Sequence, residues 1–319
     1  MKKHLLATTG IAAIAAFSAP AAFAHCGGAF CALNTNWDVQ GVWDKPGVRL
    51  DLRAEYINLD QLRHGTDKVG PSAEVDEHDE TRTINRNFVG SLDWSIDQDW
   101  GLTLRVPVVD RSHSHVHNHE HMGEIEQHHE SWDFTDVGDV RAVGRYVFYH
   151  GENSDAGINF GLKLPTGKID VKNSDGEEAE RSLQPGTGST DGILGLYYNR
   201  HMGVINWYAQ GMWQDTLHER DDYRPGYKLG LDVGVNYLAT PGWSLMLQLN
   251  VQNNGHDSGA NAESNDSGGT YAFLSPGVSY RVTRDAQIYG FWQQPIYQRV
   301  NGTQLTADWA ASAGMSMQF

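Results

Sequence analysis

The last eleven residues constrain this chain most. Trp309, Ala311, Ala313, Met315, Met317 and Phe319 fall on one side of an extended strand, and Ala310, Ser312, Gly314, Ser316 and Gln318 fall on the other, with Asp308 leading that second set. A strand that is apolar on one face and small or polar on the other suits a wall with lipid outside and water inside. The opposite end carries an export signal: basic Lys2 and Lys3, an apolar run from Leu5 to Phe17, and a small-residue exit at Ala22-Phe23-Ala24. Together the two ends predict an all-β chain, a transmembrane antiparallel β-barrel of the bacterial outer membrane.

The middle of the chain agrees. Twelve segments have strand character, from 47–58 through 99–110 and 137–150 to 306–319, and four alternate without interruption. In the first, Val48, Leu50, Leu52, Ala54 and Tyr56 oppose Arg49, Asp51, Arg53 and Glu55; in the eighth, Leu229, Leu231, Val233 and Val235 oppose Lys228 and Asp232. Connections alternate between short turns, such as Asp97–Trp100 and Thr240–Gly242, and long loops, such as 59–81, 111–136 and 168–189. Short periplasmic turns and long outer loops are expected of a barrel, whereas a secreted sandwich or solenoid has no reason to alternate this way. The expected organisation is a signal peptide over 1–24, a short Cys-containing N-terminal periplasmic segment or plug over 25–46, and an outer-membrane barrel of about twelve strands over 47–319. Aromatics near strand ends, Trp94, Trp100, Tyr146, Trp243 and Tyr280 among them, fit interfacial girdles.

Charge excludes one class of partner. The precursor carries a formal charge of −16, and without Lys2 and Lys3 the remaining chain has 22 basic against 40 acidic residues, or −18. Such a surface does not attract nucleic acid. The expected partners are outer-membrane lipid and lipopolysaccharide, with a small solute or metal ion. The two cysteines, Cys26 and Cys31, are close together in an oxidising compartment and predict a disulfide.

Alternation also nominates a lumen: Arg49, Asp51, Arg53, Glu55, Arg105, Arg141, Arg145, Lys163, Lys228 and Asp232, with Asp308 in the last strand. A barrel of this size can enclose water or a ligand. The same inward set could instead form a closed, salt-bridged interior. The long loop 111–136 carries a different chemistry. His113, His115, His117, His119 and His121 alternate, and His128-His129 follow; Glu120 and Glu124 are interleaved. In an extended chain His-x-His sets imidazoles on one face, and with a carboxylate they suit Zn or Cu(II). No tightly bound cofactor is expected beyond such ions.

Leu164-Pro165-Thr166-Gly167-Lys168 and, across the same loop, Leu183-Gln184-Pro185-Gly186-Thr187-Gly188-Ser189-Thr190-Asp191 are not a phosphate-binding loop, because Lys168 precedes Ile169 rather than Ser or Thr. They resemble the signature of the outer-membrane barrel family named for the meta-pathway of phenol degradation, a group of proposed transporters. The resemblance runs from about Asp136 to Phe319 and more weakly back to Val48. It implies an outer-membrane barrel with a transport role and brings no catalytic residues. No spacing joins His150, His201, His218 or Ser189 into a triad, so an enzyme is not expected. The expected function is a channel or transporter-like barrel linked to Cu or Zn binding or uptake through the His-rich loop. The alternatives are uptake of small aromatic or hydrophobic compounds, and a non-transporting metal-binding or structural barrel.

Overall fold

The computed structural model describes residues 25–26, 33–37, 39–41, 46–71, 78–121 and 124–319. The signal peptide lies outside them, as do Cys31 and the side chain of Cys26, so the disulfide falls outside the described residues. Within them the fold is all-β and contains no helix.

Twelve strands form one closed antiparallel wall. They are β1 (Gly47–His64), β2 (His78–Ser95), β3 (Trp100–His121), β4 in two pieces (Glu124–Val137 and Val140–His150), β5 (Ser154–Leu164), β6 (Thr190–Met202), β7 (Ile205–His218), β8 (Lys228–Leu238), β9 (Trp243–Asn254), β10 (Gly269–Arg281), β11 (Ala286–Val300) and β12 (Thr303–Gln318). Each pairs with the next, and β12 closes on β1 from Thr303↔His64 to Gln318↔Arg49. Closure removes the unpaired edges that an open sheet would expose to lipid.

Side chains follow strand parity. On β8, Leu229, Leu231, Val233, Val235 and Tyr237 are exposed on the outside of the wall. On the inside of β9 and β10, Gln248, Asn250 and Ser275 are buried, with Asn250 donating to Gln248 (3.2 Å) and Ser275 donating to Asn250 (2.7 Å). Lipid outside rewards the apolar face, and internal hydrogen bonds satisfy the polar one. At the periplasmic end, Trp100 packs on Tyr146 with centroids 4.6 Å apart, and Trp243 on Tyr280 at 4.7 Å.

Three expectations need correction. The 111–136 region is not a loop: β3 and β4 continue as a hairpin to His121↔Glu124. Its Ser-His alternation is itself period two, so the segment extends the ladder instead of leaving it. The 59–81 connection shrinks for the same reason, since β1 reaches His64 and β2 starts at His78. Asp308 does not face the lumen. The register slips around Ala307 and Trp309, which breaks parity, and Asp308 points outward to Lys68 at 3.8 Å.

Both mouths of the barrel are filled. At the outer mouth, residues of the 165–189 segment fold inward: Ala179 and Leu183 join a buried cluster with Ile57, Leu59, Leu62, Trp132 and Leu305. At the opposite mouth, the end of the short turns that barrels keep on the periplasmic side, residues 33–37 and 39–41 lie inside the wall, with Trp37 and Leu33 packed against Met246, Tyr289 and Phe291.

Candidate functional site: the lumen

The interior between these two fillings is lined with charge. Arg49 pairs with Asp93 (3.5 Å) and Arg53 with Glu55 (2.7 Å), all four being almost fully buried. Lys163 pairs with both Asp139 (3.2 Å) and Asp191 (3.0 Å). Arg145 donates to Ser95 (3.2 Å), and Arg105 to Ser91 (3.3 Å). Asp51 accepts from Trp37 (3.0 Å) and Tyr289 (2.9 Å), and Asp232 from Asn250 (2.8 Å) and Asn34 (3.2 Å).

The Lys163 cluster gives the Pro/Gly/Thr-rich segments a physical account. The Lys163 ammonium also donates to Ser189 (2.9 Å) and to Thr187. Asp139, at the break in β4, accepts from the Thr187 amide (2.9 Å), the Thr187 hydroxyl (2.8 Å) and the Gly167 amide (3.1 Å). Gly167 and Gly186 cross so closely that a Cβ on either would sit within 2.5–2.7 Å of the other's backbone, so neither position admits a side chain. One buried ion cluster and one glycine crossing therefore tie both ends of the 165–189 segment to the wall. Ser189 is fully buried and donates to Asp191 (2.6 Å), a structural contact.

Two cavities occupy the space between the fillings. The outer one, about 160 Å³, is bounded by Arg53, Asp139, Lys163, Arg181, Tyr223 and Asp257, among others. Tyr223 belongs to an outer loop; burial, then the Asp257 carboxylate that accepts its hydroxyl at 2.7 Å, push its phenol well above the ordinary range. The inner cavity, about 230 Å³, is bounded by Leu33, Asn34, Thr35, Arg145, Asn159 and Asp232, with Ile193 and Met212 as apolar patches. Arg105, Arg141, Gln214 and Lys228 border both cavities and so mark the waist between them. Register explains the convergence: Arg105 is paired with Arg141, and Gln214 with Lys228.

Residues 33–37 and 39–41 form the floor at the short-turn end. The Asn34 amide donates to Gln248 (3.2 Å), Gln248 donates back to the Asn34 carbonyl (3.0 Å), and Gln40 donates to the same carbonyl (2.8 Å). Thr35 accepts from Arg53, and Asn236 donates to Gln40 (3.4 Å). Sequence parity could not find this contact, because the segment has no periodicity.

The histidines divide. His113 and His115 are not on an exposed loop; they are buried inside the outer mouth against Trp132, with ring centroids 5.9 and 4.8 Å away. His113 meets Thr83 at 2.8 Å, and His115 meets Glu130 at 2.8 Å. His128 is exposed and lies 3.4 Å from the other oxygen of Glu130, and His129 is exposed as well. Backbone register pairs His117 with His78 and with His128, His119 with Glu126, His121 with Glu124, and Glu120 with Ile125. Among the described residues, no three His, Cys, Asp or Glu side chains converge closely enough to hold an ion.

No curated protein sequence matches the chain. A solved structure, the COG4313 outer membrane channel from Pseudomonas putida F1, superposes with a TM-score of 0.64 at 14% identity, over 87% of this chain and 97% of that one. The NanC porin aligns with a TM-score of 0.46 at 11% identity, over 85% of this chain and 100% of that one. A Pseudomonas aeruginosa FadL homologue aligns with a TM-score of 0.41 at 11% identity, over 94% of this chain and 95% of that one. The family model described as "Putative MetA-pathway of phenol degradation" matches residues 115–312, well over half of the chain. The chain is an outer-membrane β-barrel and belongs to this phenol-degradation MetA-pathway family.

Proposed function

We propose that the barrel is a solute channel in a closed state, in which the lumen is the path and residues 33–41 are the inner stopper. The observation that carries this reading is the pair of cavities strung along the barrel, meeting at Arg105, Arg141, Gln214 and Lys228 and closed below by Leu33, Asn34 and Thr35. A purely structural barrel gains nothing from leaving such charged side chains around open space, because buried charge is costly unless paired or hydrated. In this closed state both volumes fall below those of drug-sized ligand sites. Passage needs the stopper, and at the outer mouth the 165–189 segment, to move. Liposomes carrying the protein should conduct ions and take up small polar solutes. Heat-modifiable, folded barrels that admit neither, with or without residues 33–41, would overturn the reading.

A second reading, binding of Zn or Cu(II) by the outer hairpin, draws support from register: His117 is paired with histidines on both neighbouring strands. Three imidazoles from adjacent strands are a donor set for such ions. Calorimetry should show binding that weakens as pH falls through about 6.5, where protons compete for imidazole. If a variant with His78, His117 and His128 changed to Ala binds as the natural protein does, this reading falls.

A further inference from the structure

We propose that the waist of the lumen is an anion-binding site, formed by Arg105 and Lys228 with Arg141 beside them, and that the solutes the channel passes are small carboxylates or comparable oxyanions. This rests on the channel reading above and names its substrate class.

Charge inside the wall is unevenly matched. Each lumen carboxylate is already engaged. Asp93 takes Arg49 and the Thr103 hydroxyl, Glu55 takes Arg53, and Asp139 and Asp191 share Lys163. Asp51 takes Trp37 and Tyr289, and Asp232 takes Asn250 and Asn34. Asp257, at the outer cavity, takes Tyr223 and the Gly226 amide (2.7 Å). The cations are not matched in the same way. Among the described residues neither Arg105 nor Lys228 has a carboxylate within 4 Å, and each is only half-buried, with its remaining surface turned to the two cavities.

Their placement is unfavourable for the wall alone. Arg105 and Arg141 are direct cross-strand partners, an arrangement that destabilises a sheet. Arg105 lies within electrostatic range of Arg53 and Arg141 as well as of Asp93 and Asp51; Lys228 lies within range of Arg141 and Lys163 as well as of Asp191 and Asp257. Positive groups thus crowd the boundary that the two cavities share, while the nearby acids are committed elsewhere. Rings of Arg and Lys at a constriction select anions. The Arg guanidinium offers a planar fork and Lys a mobile ammonium, which together suit an oxyanion passing between them. Below the waist, Ile193, Met212 and Leu33 give a compact apolar body somewhere to rest while the charged end stays at the waist.

The test is the reversal potential of the reconstituted protein across gradients of potassium chloride, acetate and gluconate. The natural protein should pass chloride and acetate in preference to potassium, and gluconate poorly on grounds of size. Arg105→Gln combined with Lys228→Gln should lower the anion-to-cation permeability ratio at least about threefold. Lys228→Gln alone should lower it in the same direction, which keeps the test intact if the double variant does not fold. Lys68→Gln, on the outer surface beside Asp308, should leave the ratio unchanged. Folding of each variant is checked by its gel mobility before and after boiling. Current with no anion preference, or a ratio unmoved by either waist variant, overturns the anion site and leaves the channel reading standing. No current from folded protein, with or without residues 33–41, overturns both.

Discussion

Barrels lacking residues 33–41 are expected to conduct several-fold more than the intact protein in planar bilayers, with the same heat-modifiable mobility. The segment holds its place through side-chain and backbone hydrogen bonds to Gln248, Arg53 and Asp51, and Trp37 fills the apolar corner beside Tyr289 at 4.8 Å. None of these is part of the wall ladder, so their loss leaves the twelve strands paired. What disappears is the floor of the inner cavity, which joins the lumen to the periplasmic side. The polar groups freed by the deletion, Gln248, Gln210 and Asp232 among them, face water instead of being left dry, which limits the cost to the fold.

The second large effect is on stability. Lys163→Met should cost about 3–5 kcal/mol in urea unfolding of the detergent-solubilised barrel, because it strands two carboxylates in a buried setting. Lys163 and both of its acid partners are almost fully buried. Adding Asp139→Asn and Asp191→Asn should recover part of the loss. The 165–189 segment should become open to added protease in the single variant, since Thr187 and Ser189 lose their shared donor and the outer filling loosens. Equal stability and equal protection in the two proteins would show that the cluster does not hold the segment.

Alternation carried much of this fold into the sequence. Leu229, Leu231, Val233 and Val235 can all face lipid only if the strand is extended, and that forces Lys228 and Asp232 to the other side. Parity fails where the ladder does: the slip near Ala307 turns Asp308 outward, and no residue there announces a bulge. The Ser-His repeat misled for the opposite reason. Its polarity suggests a solvated loop, but its period is that of a strand, and pairing with β2 and β4 carries it up as a hairpin with His113 and His115 inside. The waist was legible only in part. Strand parity assigns Arg105, Arg141 and Lys228 to one side of the wall, but register between strands decides that they meet, and register is a property of pairs of segments that a single strand does not encode. The Pro/Gly/Thr signature was visible as a motif, whereas its meaning, a lysine between two aspartates and two glycines crossing, needed the fold.

In the proposed channel, solute moves along this lumen and residues 33–41 control it. The most direct measurement couples the two. With Cys26 and Cys31 replaced by Ser, Asn34→Cys and Gln248→Cys are joined across the inner cavity by a short, cleavable bis-thiol linker, and acetate flux into liposomes is followed before and after cleavage. These two positions exchange hydrogen bonds in the closed state, so the linker holds the stopper where it already sits. Flux should be blocked while the linker is intact and restored when it is cut. Flux that is the same in both states, in protein shown to be fully linked, would contradict that control.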